Sequence, residues 1–224
     1  MKLFEILKKS KKELNSLALK IKNYNGGAFS CDSMGVVSLV GCPSKIINSY
    51  FSCAHNKLLT TLEGGPSQVD SDFYANDCNL TTLEGGPSKI NGDYMVYENK
   101  LQSLKGAPQN IVHNLNCSGN SLTSLEGAPQ EMENFSCNRN KLTSLKGVHK
   151  IIKKMNGVFS ASTNPITSHV LGILLIKGCR GIELDNQKVV KIVNKYLPNN
   201  DGMVAVLKCQ EELFAADLDE YAQL

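Results

Sequence analysis

The residues that decide the fold read Leu101-Gln102-Ser103-Leu104-Lys105-Gly106-Ala107-Pro108, and they recur as Leu122-Thr123-Ser124-Leu125-Glu126-Gly127-Ala128-Pro129. A third copy reads Leu80-Thr81-Thr82-Leu83-Glu84-Gly85-Gly86-Pro87. The prolines of the repeat stand 21 residues apart at Pro66, Pro87, Pro108 and Pro129, and Pro43 precedes the first of them by 23 residues. Self-similarity at this period is typical of a solenoid, whose stacked units share one core and mostly present a long surface to a partner.

Each repeat begins with two apolar residues separated by one position. The central column of apolar residues is Phe29, Phe51, Phe73, Tyr94, Leu115, Phe135 and Phe159. Two residues further on, the column is Cys31, Cys53, Ala75, Val96, Cys117, Cys137 and Ala161. Alternation with a period of two predicts a short strand with one buried face. About seven such strands are expected, and at about 4.8 Å spacing they form a sheet roughly 29 Å long.

A turn built around asparagine follows each predicted strand. The turn column is Met34, Asn56, Cys78, Asn99, Asn120, Asn140 and Asn164. Its amide side chain is expected to bond the backbone of neighbouring turns and so to form a ladder along the stack. Two residues later comes a second inward column, Val36, Leu58, Leu80, Leu101, Leu122, Leu142 and Ile166. Glycine and proline on the outer arc oppose a long helix, which predicts short 3-10 or extended segments there.

The pattern apolar-x-apolar-x-x-Asn-x-Leu over residues 25–166 resembles the leucine-rich repeat family. The Leu-Thr-Ser-Leu segment followed by proline is most similar to the short repeats of bacterial and bacteriophage proteins, and Glu-Gly-Ala-Pro resembles repeats encoded by large tailed bacteriophages. The resemblance implies an α/β solenoid with a parallel β-sheet on the concave face. It also implies that Cys78 can replace asparagine in the ladder, since cysteine is a common alternative there.

The two ends of the chain depart from the repeat. Residues 1–24 are predicted to form an amphipathic capping helix, with a membrane-surface helix as the alternative. Residues 167–224 are predicted to be a C-terminal helical cap with helices near 168–177, 186–196 and 202–222, and a separate effector module is the alternative. One apolar stripe of this cap is expected to contain Val204, Leu207, Leu213, Phe214 and Leu218.

Composition bounds the function classes. The net charge of +3 is too small to argue for nucleic acid, and the longest apolar stretch, 170–176, is too short to span a bilayer. No secretion signal is visible, so the protein is predicted to be cytoplasmic, in the bacterial host if a phage encodes it. Basic residues are concentrated in 1–24 and acidic ones in 201–224. The basic segment is interpreted as the solvated face of a helix. The alternative interpretation is that it binds nucleic acid or an anionic membrane.

The eight cysteines are interpreted as packed thiols. Cys31, Cys53, Cys117 and Cys137 lie in an inward column, where cysteine behaves as a small apolar residue. Stacked neighbours in this column could form a disulfide in an oxidising setting. No Cys-x-x-Cys pair occurs and the four histidines are scattered, so no metal site and no cofactor are predicted.

The outward-facing residues of the predicted strands are the ones available to recognise a partner. In the middle of this face, large or acidic side chains are predicted to form the partner-binding site: Tyr50, Asp72, Tyr74, Asp93, Met95 and Tyr97. Tyrosine and methionine are enriched at interfaces, and the carboxylates favour a basic or mixed protein surface over nucleic acid. The alternative is that these aromatics only stabilise the sheet. A paired-carboxylate site for hydrolysis or a divalent ion is the weaker reading.

The sequence therefore predicts a non-enzymatic protein-binding module, because it contains no nucleophile–base pair, phosphate loop or metal cluster. The phage resemblance implies that the partner is a host protein, such as a defence factor. A structural protein that self-assembles by stacking of the solenoid is the alternative. A monomer is favoured for the binding module.

Overall fold

Short parallel strands stack into a β-solenoid. The structure, a computed structural model, describes residues 16–198 and 201–224. The main sheet has eight parallel strands in the order β1-β3-β5-β7-β8-β10-β12-β13. In chain order the strands of the described residues are β1 Phe29–Ser30, β2 Lys45–Ile46, β3 Phe51–Ser52, β4 Gln68–Val69, β5 Phe73–Tyr74, β6 Lys89–Ile90, β7 Tyr94–Met95, β8 Leu115–Asn116, β9 Glu131–Met132, β10 Phe135–Ser136, β11 Lys154–Met155, β12 Val158–Ser160 and β13 Gly181–Glu183.

The predicted central column is confirmed as the register of the main sheet. Phe29 pairs with Phe51, Phe51 with Phe73, and Phe73 with Tyr94, and the pairing continues to Phe159. The four rings from Phe29 to Tyr94 stack inside the core with centroids 5.7, 5.5 and 5.3 Å apart. The Tyr94 hydroxyl is buried with no hydrogen-bond partner among the described residues. Burying this hydroxyl costs desolvation free energy, which a phenylalanine at the same position would not cost.

A second line of parallel pairing precedes the main strands from β3 onward, and the sequence analysis did not predict it. Strands β2, β4 and β6 form a three-stranded sheet, and β9 pairs with β11. Two isolated bridges connect these groups through residues 110 and 111, one from Ile90 to Ile111 and one from Asn110 to Glu131. The inward residues of this line form one more buried column, namely Ile46, Val69, Ile90, Ile111, Met132 and Met155. In the described part of the chain up to residue 147, the remainder of each outer arc consists of turns, bends and irregular backbone, with no long helix and without the predicted 3-10 segments. The four-residue helix α2 (Val148–Ile151) follows late in the stack.

The asparagine ladder is confirmed. The Asn99 side chain donates from Nδ2 to Ala75 O at 2.8 Å and to Val96 O at 3.1 Å, while its Oδ1 accepts from Leu80 N at 3.0 Å. The same three kinds of bond recur at each of the other asparagines of the column: Asn56, Asn120, Asn140 and Asn164. Each amide is buried, so it satisfies backbone groups that water does not reach.

The predicted position of Leu58 is wrong by one residue. Leu58 is 61% exposed, whereas Leu59 is fully buried and takes the inward place. The cause is the next turn, because Cys78 donates from Sγ to Cys53 O at 3.3 Å but has no carbonyl oxygen to accept the Leu59 N–H. Leu59 N instead donates to Asn56 O at 2.9 Å, which the extra residue of this turn allows.

The residue before each ladder position adopts the left-handed conformation. These residues have φ between 52° and 66°, and they are Ser33, His55, Asp77, Glu98, Gly119, Arg139 and Thr163. Their N–H groups continue the pairing between turns, as in the 2.9 Å bond from Asp77 N to Tyr97 O. A side chain in this conformation costs about 1–2 kcal/mol, so six of the seven turns hold strain that the stacking compensates.

One glycine in each outer arc is required by close packing. Gly64, Gly85, Gly106 and Gly127 have φ of +80° to +88°. A Cβ on Gly106 would stand 2.5 Å from Glu84 N, and a Cβ on Gly127 would stand 2.4 Å from Lys105 N. The glycine therefore lets each turn lie directly on the backbone of the turn before it.

Helices stand at both ends of the solenoid. Residues 16–22 are helical and are called α1, with Leu17 buried and Lys20 Nζ donating to Ser30 O of β1 at 2.7 Å. The predicted N-terminal helix covers residues 1–24, and its first 15 residues lie outside the part of the chain that the structure describes. At the other end are a 3-10 helix (Leu171–Leu175), α3 (Gln187–Tyr196) and α4 (Met203–Phe214).

The segment 167–224 differs from the predicted helical cap in four ways. It contributes the eighth strand of the sheet, β13, and its first helix is five residues of 3-10 conformation. The last helix ends at Phe214 and does not reach residue 222. The predicted stripe is divided, because Leu213 is buried and Leu218 is half-buried, while Val204, Leu207 and Phe214 are exposed.

The last strand of the sheet is closed by a side chain. Asn194 of α3 accepts from Ile182 N through Oδ1 at 2.8 Å and donates from Nδ2 to Ile182 O at 3.1 Å. These are the two backbone groups of β13 that a ninth strand would pair with. The Asn194 amide thus ends the sheet by imitating the next strand.

Replacing Asn120 by alanine tests the ladder. Three buried hydrogen bonds are lost, so the free energy of unfolding is expected to fall by about 3–5 kcal/mol. Asn120→Cys is expected to lose less, because the thiol can donate as Cys78 does. Chemical denaturation measures both, and the exposed Asn91→Ala is the control, with an expected change below about 0.5 kcal/mol. An equal loss for all three variants would contradict the ladder's role.

Gly106→Ala tests the close contact between turns. The left-handed backbone alone costs about 1–2 kcal/mol, and the contact with Glu84 N adds a further cost of about 1–3 kcal/mol. Gly27→Ala is the matched control, because Gly27 has φ +81° and no described heavy atom lies within 4 Å of its added Cβ. The difference between the two thermal unfolding free energies measures the contact. Equal destabilisation would mean that the turns do not press on one another here.

Candidate functional site

The six residues of the predicted binding site lie on adjacent turns of the main sheet. Tyr50, Asp72 and Asp93 directly precede β3, β5 and β7, and Tyr74 and Met95 belong to β5 and β7. Tyr97 follows β7 by two residues and so extends from the same face as Met95. The in-register pairing of Tyr74 with Met95 keeps these side chains on neighbouring turns. Stacking of the repeats therefore positions this surface, which we call the aromatic patch.

The two tyrosines Tyr50 and Tyr74 form an edge-to-face pair. Their ring centroids are 6.1 Å apart and their planes meet at 79°. Tyr50 remains 40% exposed, whereas Tyr74 is half-buried. Met95 and Tyr97 are half-buried as well. The patch thus keeps part of its aromatic surface in water, where a partner can cover it.

The Tyr74 hydroxyl is oriented by a carboxylate. It donates to Asp72 Oδ2 at 3.1 Å. Burial, followed by this bond and the negative charges of Asp72 and Asp93, raises the pKa of Tyr74 to about 12. The phenol therefore stays protonated at neutral pH, and its ring is held in place on the face.

The two aspartates also belong to a second side-chain ladder. Asp72 Oδ1 accepts from Asp93 N at 2.8 Å, and Asp93 Oδ1 accepts from Asn114 N at 3.0 Å and from Asn114 Nδ2 at 2.8 Å. The ladder continues through Asn114 Oδ1 to Asn134 Nδ2 at 2.7 Å. Asp72 and Asp93 thus link neighbouring turns in addition to carrying charge.

The other half of the face is small and polar, as predicted, and it is internally bonded. Asn138 Oδ1 accepts from Ser160 Oγ at 2.9 Å and from Ser162 N at 2.7 Å. Ser160 Oγ also lies 2.6 Å from Glu183 Oε2. These bonds use part of the hydrogen-bonding capacity of this half of the face, so less of it is free for a partner than the composition suggests.

A charged rim lies beside the patch, and the sequence analysis missed it. Asp77 pairs with Lys57 and, at 2.9 Å, with His55 Nδ1, and these two bonds lower the pKa of Asp77. Arg139 reaches Glu98 at 2.6 Å across Gly119, where a Cβ would stand 2.6 Å from Glu98 Oε1. Most of the rim lies at the left-handed column, so the alignment of that column would have revealed it.

The cysteines lie away from this face. All eight are buried free thiols, which confirms the packed arrangement predicted for Cys31, Cys53, Cys117 and Cys137. Burial raises the pKa of Cys53 and Cys117 well above the ordinary value, so both remain thiols at neutral pH. Within residues 16–198 and 201–224, no cluster of three or more His, Cys, Asp or Glu side chains is arranged to hold a metal ion.

The helices of the described part of the chain are too short or too polar to cross a membrane.

The Tyr74–Asp72 contact makes a pH-dependent prediction. An ultraviolet titration should contain a phenol with a pKa near 12 that Tyr74→Phe removes and Asp72→Asn lowers. Because the folded pKa exceeds the unfolded value of about 10, the stabilising contribution is complete below pH 10 and is lost as pH rises toward 12. A Tyr74 phenol that titrates at the same pH in the Asp72→Asn variant would rule out this contact.

Comparison with known proteins gives the chain no family assignment. No protein-family model matches it, and no curated protein is a significant match.

Proposed function

We propose that this protein is a non-enzymatic protein-binding module of the leucine-rich repeat type. The proposed partner site is the aromatic patch, and the observation that carries the proposal is the exposed aromatic surface of Tyr50 and Tyr74 beside Asp72 and Asp93. Hydrogen bonds and stacking hold these groups before any partner arrives, which lowers the entropic cost of binding. The end helices are proposed to act as caps of the repeat core.

The chemistry of the patch favours a protein partner with a basic or mixed surface. Asp72 and Asp93 have no described cation among their hydrogen-bond or ion-pair partners. A partner arginine or lysine would gain charge complementarity there and stack on tyrosine. Nucleic acid is disfavoured, because its phosphates would meet these carboxylates. The resemblance to phage repeats adds the proposal that the partner is a host protein, such as a defence factor.

The alternative, self-assembly by continued stacking of the solenoid, is less favoured. Continued stacking would need a free strand edge at the end of the sheet. Asn194 occupies both outward backbone groups of Ile182 at the C-terminal edge. A further copy would have to displace this amide before its strand could pair.

Affinity capture from bacterial lysate with mass spectrometry tests the proposed function. Wild-type bait is compared with Tyr74→Ala/Tyr97→Ala, and a protein recovered by wild type is expected to fall at least about tenfold with the double variant. Ile47→Ala/Val112→Ala is the control, since it removes apolar groups that are 51% and 57% exposed in other columns. Circular dichroism checks that each variant stays folded. Equal recovery by all three baits would exclude the aromatic patch as the binding site.

A further inference from the structure

Helix α4 carries apolar side chains on two faces. Ala205, Val206, Cys209 and Leu213 are buried where the helix packs on α3 and on the 3-10 helix Leu171–Leu175. Met203, Leu207 and Phe214 are 53%, 54% and 49% exposed. At 100° per residue these three side chains fall within about 40° of one another and form a stripe about 16 Å long. We call this surface the outer stripe.

The neighbouring helix α3 has one apolar face, which is buried, and one charged face, which is exposed to solvent. Its buried residues are Val189, Ile192 and Val193, and its exposed positions include Lys188, Lys191 and Lys195. Apolar residues thus occur on α3 where the chain itself covers them, with lysine on the open side. The outer stripe of α4 breaks this pattern, because it lies about 125° around the helix from the buried side chains. A second apolar face on a helix is normally covered as well.

The spacing of the outer stripe matches the seam of a coiled coil. Met203, Leu207, Gln210 and Phe214 follow one another at intervals of four, three and four residues. Gln210 is half-buried and donates from Nε2 to Ala222 O at 2.8 Å, so its side chain is already held along the seam. The occupant that fits such a seam is another helix.

The charged residues beside the outer stripe indicate which helix packs against it. Lys208 and Glu211 are both exposed and flank the same side of the stripe. When two α4 helices run antiparallel with Met203 of one copy opposite Phe214 of the other, Lys208 of each copy comes within reach of Glu211 of its partner. In a parallel arrangement, Lys208 and Glu211 of the two copies would lie on opposite edges of the seam and would not meet. The surface is therefore complementary to itself.

We infer that α4 joins two copies of this chain in a symmetric antiparallel dimer through Met203, Leu207 and Phe214. The sequence analysis favoured a monomer for the binding module, and it placed Leu207 and Phe214 in one apolar stripe of the C-terminal cap. The dimer carries two aromatic patches, so a partner that presents two copies of its own site gains avidity without any new contact. The inference depends only on α4 and stands or falls independently of the proposed function.

Analytical ultracentrifugation of the full chain over a range of concentrations tests the dimer. Wild type is expected at twice its 24.4 kDa chain mass. Leu207→Glu is expected to weaken the dimer at least about 100-fold, because two unpaired carboxylates would enter the seam. Leu58→Glu is the matched control, since it makes the same change at a leucine that is 61% exposed on the repeats, and it should behave as wild type. Circular dichroism must show unchanged helix content in both variants.

Charge reversal tests the antiparallel direction. Lys208→Glu and Glu211→Lys are each expected to weaken the dimer about tenfold through like charges. An equimolar mixture of the two variants should restore association, because every facing pair is then of opposite sign. Wild type that remains monomeric at all concentrations would overturn the inference, as would a Leu207→Glu variant that remains dimeric. Monomeric wild type that binds a synthetic peptide of residues 1–15 through Leu207 would also overturn it and assign the stripe to that basic segment.

Discussion

The buried amide ladder is the interaction on which the rest of the structure depends. Strands of two or three residues pair too briefly to fix their own register, so the turn after each strand must supply the remaining backbone partners. Asn99 and its equivalents do this by bonding two carbonyls and one N–H at once. The exception at Cys78 shows how local the constraint is. Loss of one acceptor there is compensated by an extra residue in the preceding turn, which moves Leu59 inward.

Close stacking has a cost that recurs in every turn. The residue before the ladder position is an ordinary residue such as Asp77 or Glu98, at φ of 56° and 54°. The outer arc needs glycine because the backbone of the preceding turn is too near for a Cβ. The same stacking also decides the surface. Equivalent residues of adjacent turns become neighbours, so aspartates and asparagines form ladders and oppositely charged rim residues form ion pairs.

The candidate functions follow from the surfaces of the solenoid that remain exposed to solvent. A rigid sheet face with Tyr50 and Tyr74 partly in water suits recognition of a protein surface. The end of the sheet is closed by Asn194, which separates recognition from continued stacking. The outer stripe of α4 then offers a way for two copies to meet without using the sheet. A solenoid of this kind can be bivalent while its sheet remains of defined length.

The sequence by itself determined the repeat, the positions of the first seven main strands, the central aromatic column, the asparagine ladder and the face on which the six candidate residues lie. These follow from periodicity, because residues at a fixed spacing in a stack must meet their equivalents. Only the tertiary structure decided the inward place of Leu59, the buried column that includes Ile90, the eighth strand and the bonding of Asp72 to Asp93. It also decided that Leu207 faces outward. Each of these depends on which atoms a neighbouring turn or helix brings within contact distance, and spacing along one chain does not contain that information.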